Sequence, residues 1–179
     1  MKSDIKLKHL EPWIDLKLPK ISKKKEVIYT QTFRQKEKHK FYQLAFDFLQ
    51  SNRIIGDYFE FGCHRARSFR FALRESIIRN IKMNFYAFDS FQGLPNHKNN
   101  EAQNSWHLPA LLSTTEEKFL KLVSKFSKFR NIKTIKGFYE NSLNEKLYKN
   151  FKSNKIKASL INIDCDLEKS VEISLDFAL

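Results

Sequence analysis

GDYFEFGCHRARS at residues 56–68, followed by FYAFDSFQGLP at residues 85–95, decides how this chain is read. The first stretch is aromatic and apolar up to Phe61, then carries a glycine, a short polar turn and the start of a helical pattern. The second is another apolar strand, and it ends on Asp89. Strand, glycine turn, helix, strand and acid is the order in which a parallel sheet holds a nucleotide-like cofactor at its carboxyl edge. Backbone N–H groups face the ligand at the turn, and the acid takes ribose hydroxyls. Residues 60–68 have the spacing E-x-G-x-x-x-(G/A)-x-S. Gly62 lets the backbone turn tightly beside a ligand, and Glu60 ends the strand where a carboxylate organises the loop or the cofactor's amino-acid moiety. Ala66 stands where a second glycine is usual, which narrows the space for phosphate and counts against a dinucleotide. Asp89 lies 27 residues after Gly62, near the ~20 expected of a ribose-binding acid. A structural strand-to-helix turn and a turn aspartate produce the same residues, and the pattern alone does not separate the two readings.

Working outward, residues 33–49 place Phe41, Leu44, Ala45, Phe48 and Leu49 at helical spacing, and residues 54–61 read as the first strand. Residues 68–78 are helical, with Phe69, Ala72, Leu73 and Ile77 on one side, and residues 83–88 give the second strand. Residues 92–113 form a long polar segment with Trp106 and His107, a candidate substrate loop. Ser113-Thr114-Thr115-Glu116 reads as a capping box ahead of an apolar stripe of Phe119, Leu122, Val123 and Phe126. A third strand at 131–135, a helix at 142–151, a fourth strand ASLINI at 158–163 and a helical pattern from Asp166 complete the chain. Strand and helix alternate, so the fold class is α/β, with right-handed crossovers and a parallel sheet.

With 179 residues, 41% of them hydrophobic and 17 of them Phe, the chain suffices for one domain with a real core. Its net charge of +13 is concentrated at one end: residues 1–40 hold 12 Lys or Arg against 5 Asp or Glu. Residues 1–27, broken by Pro12 and Pro19 and carrying the Lys23 to Lys25 run, are expected to form a basic irregular arm ahead of a domain at 28–179. Such an arm meets phosphates or an anionic membrane surface by electrostatics, but no RNP-type motif or zinc-finger spacing points to nucleic acid, which is not an expected partner. Residues 1–10 lack an apolar signal core, and no run approaches the ~20 apolar residues of a membrane span. The chain is therefore expected to be cytoplasmic, with Cys63 and Cys165 reduced and no zinc signature.

FDSFQGLP after a strand, the earlier E-x-G turn, KGFYENSL at residues 136–143 and INIDCDLEKS at residues 161–170 together resemble the macrocin O-methyltransferase-like family of S-adenosylmethionine-dependent enzymes. The resemblance runs from about residue 29 to the C-terminus. It implies a Rossmann-like class I methyltransferase fold, a parallel sheet of about four strands in the order 3-2-1-4 with helices on both faces. The family's next strand would follow Leu179, so the sheet is expected to be incomplete at its C-terminus. With Glu60 and Gly62 at the turn, Asp89 and Ser90 would contact the ribose and adenine side of S-adenosylmethionine. Phe138 and Tyr139 would line the adenine pocket, and Tyr29-Thr30 would approach the methionyl end. Asp164 would be a ligand of a divalent metal, magnesium by resemblance, in a site incomplete in this chain, and Asp166 the general base. The acceptor implied is a sugar hydroxyl on a small molecule or glycan. A hydroxyl is a poor nucleophile, and a carboxylate promotes the proton loss that lets it attack the sulfonium methyl. Glu168 and Lys169 stand where the family usually has Tyr and an acid, which changes the cleft entrance. A noncatalytic cofactor-binding remnant and a nicotinamide-dependent oxidoreductase remain rival readings, and a homo-oligomer is left open.

Overall fold

The computed structural model describes residues 23–95 and 113–178. Contacts divide the chain after Phe41, and the sheet, its flanking helices and the site belong to the unit Tyr42–Leu179. A long helix, α1 (Lys23–Ser51), leads into that unit. There follow β1 (Asp57–Phe61), α2 (Arg67–Ile78), β2 (Phe85–Asp89), α3 (Glu116–Val123), β3 (Ile132–Lys136), α4 (Tyr139–Ser142), α5 (Glu145–Ser153), β4 (Ala158–Ile163) and α6 (Glu168–Ala178). The four strands form one sheet in the order β3-β2-β1-β4, parallel at every pairing. The expected α/β fold and strand order are therefore present.

Alternation along the strands divides the core. Tyr58, Phe85 and Ala87 point to one face, where they meet Tyr42, Phe46 and Leu49 of α1, Phe69 and Leu73 of α2, and Phe119 and Val123 of α3. Phe59, Phe61, Tyr86 and Phe88 point to the other face and meet Tyr139 and Phe151, with Phe177 packed against them. A parallel sheet covered on both faces buries the side chains of its central strands, and in β1 and β2 only the terminal Asp57 and Asp89 are half-buried. The aromatic runs of β1 and β2 thus fill both layers: Phe61 stacks on Phe88 with ring centroids 4.4 Å apart, while Phe59 meets Phe151 edge-on at 5.6 Å.

Several boundaries differ from those read in the sequence. Helix α1 begins at Lys23, so the last residues of the expected irregular arm are helical; the rest of the arm lies outside the described residues. Strand β1 begins at Asp57 rather than Ile54. Ile54 instead closes α1 by donating its N–H to the Leu49 carbonyl, and Ile55 is 91% exposed; apolar composition had extended the strand. The cap of α3 is Thr115, whose hydroxyl accepts from the Lys118 N–H at 3.3 Å, so Ser113 starts no capping box. The single helix expected at 142–151 is two. It breaks at Leu143, and Asn144 recaps α5 by accepting from the Leu147 N–H at 3.0 Å. Trp106 and His107 of the candidate substrate loop lie outside the described residues. Among the described residues no helix is long and apolar enough to cross a membrane.

Candidate functional site

The register brings the predicted site residues to one edge. Phe61 pairs with both Phe88 and Ile163, and Asp89 pairs with Lys136. Glu60, Gly62, Asp89, Gly137 and Asp164 therefore sit within a residue or two of one another at the carboxyl ends of the four strands. Backbone bonds continue the sheet into the turns: the Gly62 N–H donates to the Phe88 carbonyl at 2.9 Å, Asp164 to Phe61 at 2.9 Å, and Gly137 to Asp89 at 3.0 Å.

The turn after β1 alternates into the left-handed region, with φ of 83° at Gly62, 36° at His64 and 54° at Ala66. Gly62 is required by a close approach as well as by φ: a Cβ there would lie 2.5 Å from the Asp164 carbonyl oxygen. Ala66 sits at the N-cap of α2 and gives no side-chain cap, so the first N–H groups of that helix have no side-chain acceptor from the N-cap.

Asp89 joins the two turns. Its Oδ2 accepts from the Cys63 N–H at 2.7 Å and the His64 N–H at 3.1 Å, and its Oδ1 accepts from the Phe91 N–H at 2.8 Å. Two N–H groups of the glycine turn thus bind a strand-end carboxylate of this chain. Three of the roughly four acceptor positions of that carboxylate are occupied, which leaves room for a further hydroxyl donor. Ser90 works in the same turn, its hydroxyl donating to the Gly93 carbonyl at 2.7 Å and accepting from Gln92 at 3.1 Å.

Glu60 is fully buried. Ser68 donates to its Oε1 at 2.9 Å and Tyr58 donates to its Oε2, while the Tyr58 hydroxyl also lies 3.1 Å from that of Tyr42. The carboxylate ties β1 to the first turn of α2. Burial, reinforced by the charge of Glu60, holds both tyrosine hydroxyls well above their ordinary pKa. Sequence reasoning missed this ladder, although Tyr58 and Glu60 share a strand face by their spacing of two. Tyr42 comes from a distant helix and gave no signal.

Tyr139 is buried with its hydroxyl donating to the Phe88 carbonyl at 3.0 Å and its ring edge-on to Phe61; burial holds its hydroxyl far above its usual range. Phe138, half-buried, is the N-cap of α4. Asp164 and Asp166 are exposed just beyond β4. Cys165, between them, is half-buried; burial pushes its thiol up to about 11. Tyr29 and Thr30 lie inside α1. Among the described residues no three His, Cys, Asp or Glu side chains converge to hold a metal ion.

No family model matches the chain, and no curated protein matches it in sequence. Solved structures do resemble it. The O-methyltransferase NovP superposes with a TM-score of 0.56 at 19% identity, over 77% of this chain and 57% of its own. CalS11, a calicheamicin methyltransferase, gives a TM-score of 0.64 at 13% identity, over 96% of this chain and 69% of its own. At such identities the likeness is one of fold. The chain has the α/β fold of these methyltransferases, and it spans little more than half the length of NovP.

Proposed function

We propose that this chain is a domain of an S-adenosylmethionine-dependent O-methyltransferase of the macrocin O-methyltransferase-like kind, acting on a sugar hydroxyl. The observation that carries the reading is the Asp89 carboxylate at the end of β2, bonded to the N–H groups of the glycine turn after β1. That arrangement supplies a rigid floor and an acidic rim for a ribose at the carboxyl edge of a parallel sheet. The fold of NovP and CalS11, both methyltransferases, supports it.

In this reading Glu60 holds the turn from beneath rather than touching the ligand, since it is buried and bonded to Ser68 and Tyr58. Gly62, Asp89 and Ser90 form the ribose side, and Phe138 and Tyr139 bound the adenine side. Asp166, exposed just beyond β4, would be the general base that takes the proton from the acceptor hydroxyl. S-adenosylmethionine, when bound, would supply the methyl group from its sulfonium centre and leave as S-adenosylhomocysteine. Asp164 and Asp166 alone do not fit a resident magnesium, because no third ligand converges on them among the described residues; no step is assigned to a metal. A cytoplasmic enzyme would find its cofactor there.

Calorimetric titration with S-adenosylhomocysteine tests the reading. Saturable binding that Asp89→Ala weakens at least tenfold supports it, and methyl transfer to glycoside acceptors would then separate an enzyme from a noncatalytic cofactor-binding remnant. Absence of binding to both S-adenosylhomocysteine and S-adenosylmethionine would overturn it.

A further inference from the structure

The opposite edge of the sheet carries a cavity. The segments around the starts of β1, β2 and β3 border an open space of about 330 Å³, lined among others by Ile55, Met83 and Phe129, within the range of small-molecule pockets. Strands of five residues put it roughly 17 Å from the turns of the proposed cofactor site. Ile55 is 91% and Phe129 62% exposed, an apolar rim open to solvent.

Two cations line the same cavity, exposed Lys82 and half-buried Arg130. The Arg130 guanidinium donates through Nε to the Ser76 hydroxyl at 3.0 Å, through Nη2 to the Ser76 carbonyl at 2.6 Å, and through Nη1 to the Phe129 carbonyl at 2.8 Å. All of these acceptors are neutral, and two of a guanidinium's five donors remain. The acid in the wall, Asp57, turns its Oδ1 to the backbone and side-chain N–H groups of Asn84 at 2.8 and 2.9 Å. Burial lowers the Arg130 pKa, and among the described residues no carboxylate pairs with it. A partly desolvated cation of this kind costs stability that an anionic ligand recovers.

We propose that this cavity binds a small organic anion, an aromatic or acyl body bearing a carboxylate or phosphate, with the body against Ile55, Met83 and Phe129 and the anion at Arg130 and Lys82. The apolar rim and two cations against the single carboxylate of Asp57 select such a molecule over a neutral apolar one or an inorganic anion.

The test is a titration of the full chain, followed by amide NMR and calorimetry, with 1-naphthyl phosphate, 1-naphthoate and neutral 1-methoxynaphthalene. Expected are saturable binding of one or both anions, at least tenfold tighter than the neutral compound, shifts confined to residues 55–57, 82–84 and 129–131, and no competition from S-adenosylhomocysteine. Comparing phosphate with carboxylate identifies the preferred head group. Lys82→Gln and Arg130→Gln should each weaken binding at least fivefold. Arg130 also ties Ser76 to Phe129, so if its variant does not fold, Lys82→Gln and Phe129→Ala carry the test. Equal binding of the neutral compound, competition with S-adenosylhomocysteine, or unchanged affinity in the folded variants would overturn the proposal.

Discussion

Gly62 and Ala66 share the left-handed region, yet only one of them tolerates a methyl group. At Ala66 the methyl is fully buried in the core beneath α2; at Gly62 it would lie 2.5 Å from a backbone carbonyl of the neighbouring strand end. Gly62→Ala is expected to destabilise by about 2–4 kcal/mol, combining left-handed strain with displacement of the β4 terminus. Ala66→Gly relieves similar strain but loosens the unfolded chain, and should stay within about 1 kcal/mol of the parent. Thermal melts of the two variants check the contrast; equal losses would contradict it. Asp89→Ala removes the acceptor of three backbone N–H groups and should cost about 2–4 kcal/mol, while Asp89→Asn, which keeps one carbonyl acceptor, should lose less in denaturant midpoints. Cys165 offers a chemical readout. With its pKa raised from 9.0 to about 11, its thiolate fraction at pH 8 falls about 100-fold, and alkylation by iodoacetamide should slow accordingly against a free thiol.

Among the elements, α2 shows how an ion pair fixes helix placement. Arg79, at its C-cap, pairs with Asp47 of α1 at 2.8 Å and with Glu75, whose side chain is 2% exposed. Replacing Arg79 by Leu removes the guanidinium that pairs with that buried carboxylate, and should cost about 3 kcal/mol or more. Adding Glu75→Leu should restore much of the loss, because the buried charge is then gone; urea titrations of the single and double variants measure the coupling. The other elements show where patterning was sufficient. Residues 158–163 are β4 as read, and α2 was misplaced by one residue, because periodicity and burial agreed there. The break between α4 and α5 escaped because the Asn144 side chain satisfies local backbone donors that a helical pattern assigns to an unbroken helix. The cap at Thr115 escaped for a similar reason: adjacent hydroxyls at 113–115 are equivalent until the chain's direction selects one.

At the scale of the whole molecule, groups buried in their neutral form set the response to alkali. Tyr58, Tyr139 and Cys63 are held above their ordinary values by burial first, and Cys165 rises from 9.0 to about 11. A raised acid binds its proton more tightly when folded. Its stabilisation is complete below the unfolded pKa and is lost as pH climbs through the folded one. Stability should hold to about pH 9 and fall between pH 9 and 11, with Cys165 alone contributing on the order of 2 kcal/mol. Cys165→Ser should flatten part of that decline in denaturant titrations at pH 8, 9 and 10; an identical pH profile would remove Cys165 as a cause.

The sequence by itself determined the α/β class, the four strands, most of the helices between them, and the placing of Gly62, Asp89 and Asp164 at strand ends, because those follow from local periodicity and from residues with restricted backbone chemistry. Only the tertiary structure decided which groups each acid meets. Glu60 proved to be sealed against Tyr58 and Ser68, and Asp89 to clamp the neighbouring turn. The cavity beside Arg130 arises where three strands begin together. Such contacts join residues tens of positions apart, and their partners are chosen by strand order and packing, which a single linear pattern does not encode.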